Sequence, residues 1–547
     1  MRIRNGSLKF NHNISLGGED EIYVDGVKVD YDINSNVKNI SNLLSLRFAD
    51  KLKKEPQSDT LWLSRYIERN TLHSSFFEDL CFAVIVNKIY SENKKNKVEV
   101  ITNRSSVYEY YSNFLNQNIE LFYFFKVFLN KTKHGLYNIY FAFNFIKNSF
   151  FLHRSRKRKK IKPGSYVIQT WVTEPPGNDE KIRDIYYHDL ASYFHVNKVD
   201  YCYWYMPYNV SCYGRMLKRI EKNHNIFFLY DFTQLRDLYK AYNFYRKRKQ
   251  LLKDVNWGEI EGIDLNCFSR FFSRKELLEE SDLVYQVFKR LELKDCKFIV
   301  NHENMIVEKA LILAIDNENN KVFGNFHTSM PDAILCLDYH TKEEFLTSPK
   351  PHRILFNSVD YRKYFEDNFF CKDIEYVDGY AFKQSVHKET KPDKIYNNEV
   401  LVILPGNRDE ALNIINMFKS GRRETQNIKF RCHPMVPMEN CFDCESSIDK
   451  NESLSESLKK YRIVISGYSG AALEAALLGC SVGLLYDKKK LMFNPMDKVK
   501  NVRYRKLATS EDISKFIEDE QQAGSCLTGI ANSHFYNLES KSLNNYL

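Results

Sequence analysis

YRIVISGYSGAALEAALLGCSVGLLYD, Tyr461 to Asp487, is the stretch from which the fold can be read. YRIVIS is a short apolar run rich in β-branched residues, which predicts a buried parallel strand. SGYSG is a turn of small residues at its carboxyl end. AALEAALLG reads as a helix stopped at Gly479, and SVGLLYD as the next strand. The result is a βαβ unit whose loop feeds a helix N-terminus. Unpaired N–H groups and the helix dipole gathered there favour an anion. Upstream, IKFRCHP (Ile428 to Pro434) reads as a strand that delivers His433 to the same edge. Downstream, LMFNPMD (Leu491 to Asp497) closes the unit. Ligands of open α/β sheets sit beyond the carboxyl ends of the strands, so this edge is the expected binding edge.

At 547 residues the chain has room for two or three domains. Its formal charge of +10 is too dilute for a nucleic-acid coat, and no nucleic-acid partner is expected. MRIRNGSLKFNHN has no apolar segment of a secretory leader, and no apolar run of about 18 residues predicts a membrane span. The twelve cysteines are scattered and read as reduced thiols in the cytoplasm. Cys441 and Cys444 form a lone pair, without the second pair that a structural zinc site needs.

Near the start, EIYVDGVKV reads as strand-like pieces, and Asp30-Tyr31-Asp32 as a solvated turn, because it precedes any nucleotide-binding unit. TLWL from Thr60 reads as a strand, followed by a long helix and the strand KVEVIT. Residues 107–162 form an insertion dense in Phe and Tyr that ends in HRSRKRKKIK. Aromatic helices beside a basic cluster suit a membrane interface with anionic lipid; packing on the first domain is a second reading, and nucleic-acid binding by the basic cluster, without a recognised motif, a third. From SYVIQTWV onward, strand-like runs alternate with helical segments, which implies a mostly parallel sheet. Glu303 and His327 fall at strand ends, with Ser329 on the same lip. A carboxylate and an imidazole there can manage the proton of a hydroxyl; helix capping and a core histidine are the bland readings. KETKPDKIYNN (Lys388 to Asn398) reads as a linker, EVLVILPG as the first strand of the second domain, and Asp409 and Glu410 as acids in the following helix turn.

HP after a strand, then Ser466-x-x-Ser469-Gly470, Glu474 on the next helix and the turn Asn494-Pro495 resemble the donor-binding half of GT-B glycosyltransferases. The similarity is to the bacterial surface-carbohydrate group that uses CMP-activated acidic sugars, Kdo and nonulosonic acids. HENMIVEKAL and VFGNFHTS resemble the acceptor-side half of the same proteins. The resemblance implies an α/β, GT-B-like fold: two Rossmann-type domains facing across a cleft, with the aromatic-rich helical insertion in the N-terminal half. Residues 1–390 would form the acceptor-side domain and 395–520 the donor-binding domain, and 521–547 a tail or a helix crossing back.

By the same resemblance, His433, with Pro434, contacts the nucleotide phosphate, and Ser466, Ser469 and Gly470 hold the phosphate or sugar carboxylate. Glu474 and Asn494 belong to the same donor site. Arg431 is a candidate partner of the sugar carboxylate or a surface charge. Asp409 is the candidate nucleophile of a retaining enzyme, Glu410 its neighbour, and Glu303 the candidate base, with His327 and Ser329 on the acceptor side. The implied activity is metal-independent transfer of an acidic sugar from a CMP-sugar to a glycan or lipid-linked glycan of capsule or lipopolysaccharide. The location would be cytoplasmic, peripheral on the inner membrane face. No cofactor beyond the nucleotide-sugar substrate is implied. A polyol-phosphate transferase, a sugar-nucleotide epimerase or a UDP- or GDP-sugar enzyme of the same fold, and a non-catalytic assembly scaffold, are the alternatives.

Overall fold

A computed structural model describes residues 12–16, 19–71, 74–115, 132, 135–144, 146–147, 160–172, 186–187, 190–207, 226–315, 319–379, 397–405, 408–420, 427–433, 436, 448–449, 454–467, 469–500, 502–523 and 540–547. The linker up to Tyr396, Cys441 and Cys444 and most of the basic cluster lie outside these residues, and the last two linker residues open a strand.

The first part is built on a four-stranded sheet, β1 (His12–Leu16), β2 (Glu21–Val24), β3 (Val27–Lys28) and β4 (Val98–Thr102), in the order β1-β4-β2-β3. Asp25-Gly26, with φ of 50° and 83°, makes the two-residue turn between β2 and β3, a conformation that suits this pair. Helix Phe76–Glu92 is apolar on nearly every side and runs through the core of this part. The TLWL segment is helical, Ser58–Trp62, and a second short helix, Arg65–Glu68, follows. A strand was the wrong expectation here: a short apolar run looks alike in a strand and in a fully buried helix turn, and Thr60, Leu61 and Trp62 are all buried. Ser64 caps the second helix by accepting the Tyr66 N–H at 3.0 Å.

The second part is a seven-stranded sheet: β5 (Tyr166–Val172), β6 (Tyr201–Pro207) and β7 (Ile226–Phe227), then, after a small hairpin of β8 (Glu259–Ile260) and β9 (Ile263–Asp264), β10 (Lys297–Asn301), β11 (Lys321–Phe326), β12 (Arg353–Phe356) and β13 (Glu375–Asp378). Its order is β13-β12-β11-β10-β5-β6-β7, and every pairing is parallel. The chain winds outward from β5 to β7, returns, and winds the other way from β10. The reversal leaves a crevice at the carboxyl ends of β5 and β10.

The third part repeats the plan with β14 (Asn397–Ile403), β15 (Ile428–Arg431), β16 (Tyr461–Ser466), β17 (Ser481–Leu485) and β18 (Tyr504–Leu507), in the parallel order β15-β14-β16-β17-β18. Here the reversal lies between β14 and β16. The α/β class with two Rossmann-type sheets is therefore the architecture found. The C-terminal segment Ser540–Tyr546 crosses back: the Tyr546 hydroxyl donates to Asn325 Oδ1 at 2.6 Å, and the Leu547 carbonyl accepts from Tyr166 and Lys297.

The halves are joined by charge. Lys498, 8% exposed, lies 2.7 Å from Asp332 and 2.9 Å from Asp338 of the other half. Burial works against its ammonium, yet the two carboxylates hold its pKa above the usual lysine value. Asp30 and Asp32, expected in a solvated turn, are part of the same junction. Asp30 meets Lys488 at 2.7 Å, and Asp32 caps the turn at Ile33 and accepts from the Tyr486 hydroxyl at 2.6 Å. The partners lie more than 450 positions away in the sequence, which is why a local reading made this a surface turn. Lys498→Met strands Asp338 in the interior. It should lower stability by about 3–5 kcal/mol in a denaturant titration, whereas a loss below about 1 kcal/mol, in the range of surface pairs, would show that the triad does not hold the halves.

Candidate functional site

Two polar sites sit at the two points of winding reversal. At the second sheet, β16 runs directly into the serine turn. Ser466 is buried, and its Oγ lies 3.5 Å from the Ser469 Oγ. Ser469 is the N-cap of helix Gly470–Leu477, but its hydroxyl makes no capping bond to that helix. A Cβ added at Gly470 would meet nothing within 4 Å, so packing does not demand glycine here; the backbone is left open to an incoming group. A Cβ at Gly467 would lie 3.1 Å from Glu410 Oε1. Glu410, on the first turn of helix Arg408–Ser420 after β14, is thus brought over the turn, and burial raises its pKa. His433 follows β15, two strands from β16, and burial lowers its pKa, which favours the neutral imidazole. Three successive strand ends therefore supply hydroxyls, a carboxyl and an imidazole to one edge.

Other residues expected there have structural partners. Arg431 donates to Asp449 and to Ser457, both at 2.8 Å. Asn494 donates to Asp497 at 2.6 Å and to Tyr504 at 2.9 Å, and it accepts the Met496 N–H. It also lines a narrow pocket of about 160 Å³ between the halves, with Asn34, Lys38, Asp332, Tyr486 and Lys506. Glu474 is half-buried one turn into the helix that follows the serine turn. Of Asp409 only the backbone is described, at the start of its helix, and Pro434 lies outside the described residues.

At the seven-stranded sheet, Glu303 follows β10 and His327 follows its neighbour β11. Register pairs Asn301 with Asn325, which brings the two side chains together: His327 Nε2 lies 3.1 Å from Glu303 Oε1. With Nε2–H donating to the carboxylate, Nδ1 carries the lone pair. Nδ1 is buried and has no hydrogen-bond partner among the described residues. The ring of Tyr186 meets the His327 ring edge-on at 5.0 Å. Ser329 lies two residues on, half-buried.

Behind this pair is a cluster that sequence reasoning missed. Glu308, on the first turn of helix Ile306–Ile315, accepts the N–H groups of Glu303 and Asn304 at 2.7–3.1 Å and so shapes the loop that carries Glu303. Burial, and then the charge of Glu303, push its pKa up to about 8. His302 lies 3.6 Å from Glu308 and packs over Gly324, whose added Cβ would meet the His302 ring carbon at 3.0 Å. Burial lowers the His302 pKa to about 3. Glu68, raised to about 7 by burial, accepts the Ile306 N–H at 2.8 Å. The available signal was the run H-E-N-x-x-x-E, but an acid in a first helical turn reads as a cap, and its burial is a tertiary fact.

Both side-chain polar atoms of Asn301 and Nδ2 of Asn304 and Asn325 are also buried without a hydrogen-bond partner among the described residues. They gather at the strand ends beside Glu303 and His327, where ligand hydroxyls would satisfy them. No group of three or more His, Cys, Asp or Glu among the described residues could hold a metal ion.

No protein-family description matches the chain, and no curated protein matches it. The chain is similar, at low identity, to a number of solved structures, among them the following three. The glycotransferase of kitacinnamycin shares 8% identity over 71% of this chain and 94% of its own, with a TM-score of 0.36. A UDP-N-acetylglucosamine 2-epimerase shares 10% over 70% and 95%, with a TM-score of 0.33. The glycosyltransferase SnogD from Streptomyces nogalater shares 9% over 65% and 92%, with a TM-score of 0.29. Likeness this distant assigns no activity.

The raised acid at Glu308 has a signed consequence. A carboxyl whose folded-state pKa is about 8 holds its proton better folded than unfolded, so stability falls as pH rises from the ordinary carboxylate range towards 8. Depressed His302 acts at the other end, costing stability as pH falls from about 6.5 towards 3. Glu308→Gln keeps an acceptor oxygen but no titrating proton. Its melting temperature should fall less than that of the wild type as pH rises from about 6.5 to 8, above the range in which His302 acts; equal slopes would show that Glu308 is ionised in the fold.

Proposed function

We propose that the chain is a GT-B-type glycosyltransferase that binds a nucleotide sugar at the serine turn and passes the sugar to a hydroxyl held beside Glu303 and His327. One observation carries this reading: each of two parallel sheets has a polar site at its own winding reversal, and the two sites offer complementary chemistry. The serine turn offers hydroxyls, a helix N-terminus and His433 to a departing phosphate. The other site offers an oriented imidazole to an acceptor proton.

In this mechanism the acceptor hydroxyl loses its proton to His327 Nδ1, while Glu303 holds the ring through Nε2–H and stabilises the imidazolium. The acceptor oxygen bonds to the anomeric carbon. The bond from that carbon to the phosphate oxygen breaks, and its electron pair leaves with the nucleotide. If the sugar is transferred with retention, the first attack would fall to Asp409 or to its neighbour Glu410, whose carboxyl lies beside Gly467. The finer reading is a CMP-linked acidic sugar, Kdo or a nonulosonic acid, moved without metal to a glycan or lipid-linked glycan of a surface polysaccharide. Its support is the resemblance of the HP and serine-turn segments. We place the reaction in the cytoplasm, against the inner membrane face; among the described residues no helix is long and apolar enough to cross a membrane.

Thermal shift and calorimetry with CMP, CDP, UMP, UDP and GDP, with and without Mg²⁺, test the donor. A nucleotide at a hundred times its dissociation constant should add about 2.7 kcal/mol of stability, and His433→Ala should remove most of it. CMP binding without metal supports the acidic-sugar reading. Preference for UDP or GDP keeps the transferase and discards that donor, and absence of all nucleotide binding leaves a non-catalytic scaffold. Once a donor is known, His327→Ala should reduce turnover by about 10²–10⁴-fold with donor affinity unchanged. Retained turnover would remove His327 as the base.

A further inference from the structure

Residues 135–144 are helical, as are 146–147, and one face of the 135–144 helix is unpartnered. Leu136, Ile139, Tyr140 and Phe143 are 62–68% exposed, and Ile146 continues the stripe. Their spacing of three and four residues is that of one helical face. The opposite face is docked: Phe141 packs on the core beneath the seven-stranded sheet, and Asn138 accepts the Leu278 N–H at 3.3 Å. The stripe is therefore held outward by a seated helix.

The neighbouring helix Leu235–Asp254 presents a matching face. Leu235, Tyr239 and Tyr242 are exposed along it, followed by Arg246, Lys249 and Lys253. The last four of these residues and Asn138 line one open groove of about 610 Å³, so the two faces adjoin. On its other side the helix borders a second groove of about 760 Å³, lined by Arg236, Lys240, Lys247 and Lys289 among others. Charge on the later part of the insertion is one-signed. From Lys131 to Lys162 the sequence carries ten Lys and Arg and no Asp or Glu.

We infer that these two helices form a docking face for an anionic lipid bilayer. Apolar and aromatic side chains on a seated amphipathic helix enter the headgroup boundary, while flanking Arg and Lys meet lipid phosphates. Charge complementarity selects the occupant: a purely apolar protein partner would leave the cations of Arg246, Lys249 and Lys253 unpaired, and a nucleic acid would leave the Ile139–Phe143 stripe bare. The inference deepens the membrane location proposed above but needs no assignment of activity, so it stands or falls without a nucleotide.

The test is co-sedimentation of the full chain with vesicles of phosphatidylcholine alone and of equal parts phosphatidylcholine and phosphatidylglycerol. Binding is expected on the anionic vesicles only, and it should weaken with salt. Ile139→Glu with Phe143→Glu should abolish it. Arg246→Gln, Lys249→Gln and Lys253→Gln together should weaken it about 100-fold, each cation being worth about fivefold at such a surface. All five side chains lie at the surface, so melting temperatures should match the wild type and separate lost docking from lost folding. Equal binding to neutral vesicles would overturn the inference. So would the absence of vesicle binding, whether the same variants abolish RNA binding or a concentration-dependent dimer instead.

Discussion

Lys498 fixes one half of the molecule to the other. It sits on a backbone of φ 64°, belongs to the part that carries the serine turn, and places its ammonium between Asp332 and Asp338 of the part that carries Glu303 and His327. A buried ion pair adds little net stability over an apolar contact, but it tolerates only one geometry, because a charge that loses its partner indoors is left desolvated. The Asp32–Tyr486 bond and the Asp30–Lys488 pair act at the same junction. Two binding edges on separate sheets are useful to a transfer reaction only when their separation is held, since reacting atoms must meet within about 3–3.5 Å.

The edge that carries Glu303 and His327 shows a pattern that folding alone would not favour. A buried polar atom without a partner costs about 1–3 kcal/mol. Asn301, His302, Asn304, Asn325 and His327 all carry such atoms among the described residues, clustered at neighbouring strand ends of one sheet. Glu308 and Glu68 are kept protonated towards neutral pH by burial, so the site holds carboxyl groups as hydrogen-bonding scaffolds for the backbone of Glu303, Asn304 and Ile306. On the proposed function, hydroxyls of the acceptor would supply these missing bonds.

Much of this was legible locally. The apolar run YRIVIS, the small-residue turn and the helix ended by Gly479 became β16, the serine turn and helix Gly470–Leu477, because strand, loop and helix were each specified by adjacent residues. Glu303 and His327 were legible as strand-end residues, and register between β10 and β11 made them partners. What failed to show depends on contacts between distant residues. Asp30-Tyr31-Asp32 gains its meaning from Tyr486 and Lys488, Arg431 from Asp449 and Ser457, and Glu308 from the burial of its helix turn. TLWL shows the complementary failure: full burial erases the periodicity that distinguishes a helix turn from a strand.

The most direct measurement is a crystal structure of the full chain soaked with a nucleoside diphosphate. Two sites at winding reversals predict phosphate density at the serine turn, against the open backbone of Gly470 and within hydrogen-bonding reach of Ser469. Phosphate bound only in the basic grooves along helix Leu235–Asp254, with the serine turn empty, would contradict a donor site at the second sheet.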